Sequence, residues 1–230
     1  MKIFRKTAFG AIAVLLSACA IQSLAEVRIT EVAPWASGNT LYANDWFELT
    51  NIGASALSIA GWRMDDSSAN FGSAVAMTGV ASIAAGESVI FIENAAGNAG
   101  FLGTWFGATV PSGLQIGNYA GGGVGLSTGG DAVTIFDGSG VVQASVSFGA
   151  ADSRSPYQTF DNAARLNGVA ISQLGAAGVN GAFVAFSDAG EIGSPGRIDG
   201  MAAAVPEPET YALMLAGLAV VGSIKRRRQR

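Results

Sequence analysis

Asp45-Trp46-Phe47-Glu48-Leu49-Thr50-Asn51 is the stretch whose reading decides the fold. It alternates, with Phe47 and Leu49 on one side and Trp46, Glu48 and Thr50 on the other. A period of two is the pattern of a half-buried strand. Asn51-Ile52-Gly53 ends it with turn-forming residues. Upstream lies a second strand pattern, Val27-Arg28-Ile29-Thr30-Glu31-Val32, and downstream lie Leu57-Ser58-Ile59 and Gly61-Trp62-Arg63-Met64. Each is too short to bury a face by itself, so together they are expected to pack as sheets.

Further along, Val89-Ile90-Phe91-Ile92 is a continuous apolar run suited to a central strand. Ala132–Phe136, the loop Asp137-Gly138-Ser139-Gly140 and Val141–Phe148 read as a β-hairpin whose glycines supply φ > 0. Val169–Ile171 and Phe183–Phe186 read as edge strands. Asn39–Asn44 and Asn94–Gly100 read as loops, and Gly117–Gly130 is rich in Gly with no helical pattern. No amphipathic stretch of helical length stands out between Glu26 and Gly200. The expected class is all-β.

Composition narrows the function classes. Half of the 230 residues are apolar and 13% are charged, which argues against disorder, and 32 glycines suit short strands joined by many turns. Residues 26–205 carry 15 acidic side chains against 5 arginines, a net of about −10, with no Lys and no His. A domain of that sign repels nucleic acid and anionic membrane surfaces. The one cysteine, Cys19, leaves no disulfide within the chain, so apolar burial and strand pairing must hold the fold.

Both ends have the layout of processing segments. A basic start (Lys2, Arg5, Lys6), an apolar run Thr7–Leu16 and the small residues of Ser23-Leu24-Ala25 form a secretory signal peptide over residues 1–25, with cleavage expected between Ala25 and Glu26. A competing feature is Leu16-Ser17-Ala18-Cys19, which resembles a bacterial lipobox and would put a lipid on Cys19.

Within the body of the chain, several segments occur in a telling order. They are Ile29-Thr30-Glu31-Val32, Asp45–Asn51, Leu57-Ser58-Ile59-Ala60-Gly61-Trp62, Ile83-Ala84-Ala85-Gly86-Glu87, Gly130–Asp137 and Gly193-Ser194-Pro195-Gly196. Together they resemble the lamin-tail domain of secreted bacterial proteins. That resemblance implies an immunoglobulin-like β-sandwich over residues 26–200. Ala85-Gly86 stands where the family has Pro-Gly, and residues 153–191 exceed what its pattern needs.

At the C-terminus, Val205-Pro206-Glu207-Pro208-Glu209 precedes an apolar run, Tyr211–Ile224, and the basic cluster Lys225-Arg226-Arg227-Arg228. Residues 201–230 closely resemble the PEP-CTERM sorting signal of Gram-negative bacteria that make extracellular polysaccharide. The resemblance implies recognition by a membrane protease-transpeptidase, the exosortase. Fourteen helical residues rise about 21 Å against a hydrocarbon core of about 30 Å, a short span helped by snorkelling of Lys225 and Arg226. The Arg cluster is expected on the cytoplasmic side, with Pro206-Glu207-Pro208 outside.

Candidate chemistry is sparse. Without His, a Ser-His-Asp or Cys-His arrangement and His-ligated zinc are excluded. The glycines of 121–130 lack the Gly-Lys-Ser/Thr of a phosphate loop. Paired carboxylates remain as candidates: Glu31 with Glu48, or Asp65 with Asp66. Asp65, Asp66, Ser67 and Asn70 offer hard oxygens to calcium, but not at EF-hand spacing, and a polar turn capping its own N–H groups is the plainer reading. Trp35, Trp46, Trp62 and Trp105 suit either a glycan platform or packing. The expectation is a secreted, non-enzymatic envelope or matrix protein, structural or adhesive in an exopolysaccharide biofilm. It has no cofactor, and its partners are an exosortase, extracellular polysaccharide and, before processing, the membrane. A calcium- or glycan-binding recognition module is the alternative, and a carboxylate-only hydrolase the remote one.

Overall fold

The computed structural model describes residues 26–34, 42–151, 154–187 and 190–197. Ala25, Trp35, Cys19 and the sorting residues Val205 to Pro208 and Lys225 to Arg228 lie outside the described residues. In chain order the elements are β1 (Val27–Ala33), β2 (Trp46–Asn51), β3 (Leu57–Ser58), β4 (Arg63–Asp65), β5 (Val75–Ala76), β6 (Ser82–Ile83), β7 (Ser88–Ile92) and helix α1 (Asn98–Phe106). There follow β8 (Gln115–Asn118), β9 (Asp131–Phe136), β10 (Val142–Phe148), β11 (Tyr157–Gln158), β12 (Phe160–Asp161), β13 (Val169–Ile171), β14 (Phe183–Val184) and β15 (Glu191–Gly193).

Two five-stranded sheets carry the fold, in the orders β12-β1-β2-β7-β8 and β13-β10-β9-β4-β5. Period-two alternation sends Ile29, Phe47, Leu49, Val89 and Phe91 of the first sheet against Met64, Val133, Ile135, Val146 and Phe148 of the second. That shared apolar layer makes them the two halves of a β-sandwich. Phe47 and Phe91, opposite each other on β2 and β7, stack at 5.4 Å between ring centroids. The Ala132–Phe148 hairpin is present, with Gly140 at φ 88° and Asp137 Oδ1 accepting the Ser139 and Val141 N–H groups. Val169–Ile171 forms an edge of the second sheet, parallel to β10.

Two expectations are corrected here. The Asp45 strand is not half-buried: all six residues of β2 are buried. Its outer face is covered by a second apolar cluster, in which Ala33, Trp46, Ile90 and Ile92 meet Phe101, Trp105 and Phe106 of α1 and Ala185. The segment from Asn94 is also not a plain loop. A 3-10 turn at Ala95–Gly97 leads into α1 over Asn98–Phe106, a helix that no amphipathic pattern announced. Phe101, Thr104 and Trp105 are buried at i, i+3 and i+4 spacing, but Gly100 and Gly103 interrupt the pattern. Gly100 has a packing reason, because a Cβ there would lie 2.9 Å from Tyr42 Cβ. Gly107, at φ 58°, ends the helix in a conformation that side chains disfavour.

Candidate functional site

The site begins with a β-bulge. On β1, Ile29 pairs with Leu49 and Val32 with Phe47, both facing the core, yet only Glu48 lies between their partners. Two residues of β1, Thr30 and Glu31, therefore oppose one residue of β2. Strict alternation would drive Glu31 into the apolar layer between the sheets. The bulge turns it to the outer face instead, in register with Glu48 on one side and Asp161 of β12 on the other. Three carboxylates thus stand in a row across β12, β1 and β2.

Glu31 and Glu48 are each 1% exposed. Thr30 Oγ1 donates to Glu48 Oε1 at 2.6 Å, and the Gly196 N–H to Glu48 Oε2 at 2.7 Å. Thr159 Oγ1 and the Ser194 N–H donate to Glu31 Oε1 at 2.5 and 2.6 Å. Glu31 Oε2 is buried and has no hydrogen-bond partner among the described residues. Burial, and then the neighbouring charge of Glu48, raise Glu31 to about 8 against the Thr159 and Ser194 donors. Burial also raises Glu48 to about 7, opposed by Thr30, Gly196 and Ser88. The pair therefore binds a proton far above the ordinary carboxylate range.

Asp161 is tied separately, accepting the Ala163 N–H on Oδ1 and Asn180 Nδ2 on Oδ2, both at 2.7 Å. Thr30, Glu48, Asp161, Ser194 and Arg197 line a cavity of about 10 Å³, room for about one water molecule. No sugar ring enters such a space. The Arg197 guanidinium lies 4.2 Å from the centre of the Phe183 ring.

Beside this pair is a neutral hub. Tyr42 Oη accepts the indole N–H groups of Trp46 and Trp105 at 3.0 and 3.2 Å and donates to Glu191 Oε2 at 3.1 Å. Burial and then the Glu191 charge hold the Tyr42 hydroxyl well above its usual range, so it stays a donor. Residues 183–187 and 190–197 thereby lie as a strap over the outer face of the first sheet, held at Phe183, Ala185, Glu191, Ser194 and Gly196.

Of the residues singled out by sequence, Glu31 and Glu48 are brought together and Asp65 and Asp66 do not join them. The Asp65 carboxylate, itself buried, accepts Ser68 Oγ at 2.5 Å and the Asn70 N–H at 2.7 Å. Asp66 Oδ1 accepts the Ser68 N–H and Asn70 Oδ1 the Gly72 N–H, while Asp131 Oδ1 takes the Ser67 N–H. The Asp65 carboxylate, Asp66 Oδ1 and Asn70 Oδ1 are thus engaged in capping the turn. Among the described residues no group of three or more His, Cys, Asp or Glu side chains has the arrangement of a metal site. Trp46, Trp62 and Trp105 are buried, which takes them out of an exposed stacking platform. Sequence reading did not find Thr159, Asp161, Tyr42, Glu191 or the strap. The consecutive polar pair Thr30-Glu31 inside an otherwise alternating strand is the one local signal of the bulge.

The molecule is thus a two-sheet β-sandwich whose acidic pair is closed over by residues 190–197. Residues 21–150 match the Lamin Tail Domain, and the chain belongs to that family. Residues 204–229 match the PEP-CTERM protein-sorting motif, which marks a secreted protein sorted by an exosortase and directed to the cell surface or exterior of a Gram-negative bacterium. A comparison with curated proteins finds no match. Among the described residues no helix is long and apolar enough to cross a membrane.

Proposed function

We propose that this protein is a non-catalytic structural or adhesive component of the cell envelope or extracellular matrix, held transiently in the inner membrane by its C-terminal helix until an exosortase cuts near Pro206-Glu207-Pro208. The carrying observation is the sorting motif at 204–229, directly after a domain of the lamin-tail family. Support for a passive role comes from the acidic pair, whose cavity of about 10 Å³ admits no polymeric substrate. In this reading the prolines at 206 and 208 disfavour helix there, which would leave a protease-accessible segment before the apolar run. The matrix partner in this reading is the host's extracellular polysaccharide.

Cell fractionation with intact-mass measurement tests the proposal in a host with and without the sorting enzyme. The expected mature species begins at Glu26, lacks residues 211–230 and leaves the inner membrane only when the enzyme is present. Full-length protein ending at Arg230 in the inner membrane of the enzyme-bearing host would overturn it. A lipid on Cys19 would replace the leader assignment with the lipoprotein one. Binding to purified host polysaccharide, measured by calorimetry, tests the adhesive role separately.

A further inference from the structure

Glu31 and Glu48 sit between the outer face of the first sheet and the end of the strap, and two backbone N–H groups of the strap, from Ser194 and Gly196, reach them directly. We propose that residues 194–197 are a proton-operated latch, closed while the Glu31–Glu48 pair keeps its proton and opened when the pair loses it. Opening lets water reach the pair.

The geometry makes this the least costly way to solvate the pair. Below it is the sandwich core, which opens only by unfolding. Above it, lifting residues 194–197 breaks the two N–H bonds and the contact of Arg197 with Phe183 and uncovers Pro195. β15 stays paired with β11 and β14, and the Tyr42–Glu191 bond stays in place.

Charged and titratable groups surround the pair from every side, and they are mostly acidic. On β1, Arg28 shares the outer face with Thr30 and Glu31, its Nη1 bonded to the Val27 carbonyl. β2 contributes Glu48, and β12 contributes Asp161 in register with Glu31. Glu87, at the entrance to β7, lines a cleft shared with Gly196. The strap itself brings Glu191, bonded to Tyr42, and Arg197. Among the described residues neither arginine hydrogen-bonds to the pair and Glu31 Oε2 has no partner, so a second negative charge there is uncompensated. Burial raises both glutamates in the closed state. The state that holds the proton more tightly is favoured at low pH, so closure weakens as pH rises. The same chain continues to the sorting motif at 204–229. Releasing four residues lengthens that tether by about 14 Å, a consequence that rests on the sorting reading while the latch does not.

Hydrogen exchange of the intact exported protein, followed by mass spectrometry, reads the latch. Peptides covering 190–197 are compared with peptides covering β10, after correction for the intrinsic base-catalysed rate. Protection at 190–197 is expected to fall at least 10-fold between pH 5.5 and 7.5, one released proton giving about 10-fold per pH unit, and to stay well below that of β10, which only global unfolding exposes. The double variant Glu31→Gln/Glu48→Gln keeps acceptors for Thr159, Ser194, Thr30 and Gly196 but has no proton to lose, and its protection should be flat. A wild-type profile flat over that range, or protection at 190–197 equal to that of β10, would overturn the latch. So would a folded double variant as steep as wild type. The wild-type profile decides alone if the double variant does not fold.

Discussion

Two tyrosine-to-phenylalanine changes, chemically identical, should have opposite consequences. Tyr42→Phe keeps a ring of the same shape, edge-on to Phe101 at 5.5 Å, and deletes only the hydroxyl. That oxygen is the common partner of Trp46 Nε1, Trp105 Nε1 and Glu191 Oε2, on residues no more than 1% exposed. Three net hydrogen bonds are worth about 1 kcal/mol each, and two buried indole N–H groups left without their acceptor add to the loss. The sum is on the order of 3–5 kcal/mol, a large part of the stability of a typical domain. Tyr119→Phe removes a hydroxyl that is buried and has no partner among the described residues, so no bond is lost and a desolvated polar atom is relieved. Its stability should be unchanged or higher by up to about 1 kcal/mol.

Urea unfolding followed by far-UV dichroism measures both, avoiding the tryptophan emission that Tyr42→Phe would itself alter. With a slope of about 2 kcal/mol/M, Tyr42→Phe should lower the midpoint by about 1.5–2.5 M at unchanged slope, and Tyr119→Phe should leave it in place. Equal losses in the two variants would refute the reasoning, because burial of a phenol and not its bonding would then set the stability. A loss below about 1 kcal/mol for Tyr42→Phe would show that the hub is not holding α1 and the strap to the sheet.

Leu49→Ala empties a fully buried site between the sheets and should cost about 2–5 kcal/mol in the same assay. Gly117→Ala should cost about 1–3 kcal/mol, since its Cβ would overlap the Phe91 ring and lie 2.8 Å from the Thr78 carbonyl oxygen; thermal unfolding checks it. The pH dependence has a definite sign. Glu31 is raised by burial from 4.5 to about 8 and Glu48 by burial to about 7, so the folded protein binds more protons than the unfolded chain in this range. The stability they contribute is complete below about pH 4.5 and is lost as pH rises through 7 to 8. At about 1.4 kcal/mol per pH unit, Glu31 bounds its own contribution at about 5 kcal/mol. Urea midpoints measured from pH 5 to pH 8 should therefore fall, and a rise would contradict the burial of the pair.

What could be read from sequence was whatever depends on neighbouring residues. Phe47 and Leu49 alternate with Glu48, the Val89–Ile92 run is apolar throughout, and Gly140 stands where the hairpin needs positive φ; each is a local regularity. What escaped depends on partners distant in the chain. α1 has glycine at 100 and 103, which weakens any helical pattern, and it is stabilised by Tyr42 and Trp46 packing on Phe101. Burial of Glu48 is set by Gly196, 148 residues away, and burial of Glu31 by Ser194, 163 residues away. Alternation says that Glu48 points away from Phe47; it does not say whether water or more protein lies there.

The same division runs through the site. Glu31 and Glu48 belong to the part that matches the Lamin Tail Domain, residues 21–150. Thr159, Asp161, Ser194, Gly196 and Arg197, which close the site, all follow it. Without that continuation the two glutamates would face water at an ordinary carboxylate pKa, and β1 would be an open sheet edge, a template for unwanted pairing. β12 covers the edge at Glu31 and Val32, and the strap covers the face. An exported domain with a net charge of about −10 over residues 26–205 gains from hiding both, but the cover places three carboxylates in one row, and only a retained proton relieves that crowding. The bulge at Thr30 is where this trade is set. It spares the sandwich core a buried charge and delivers that charge to the one face that the end of the domain can open or close.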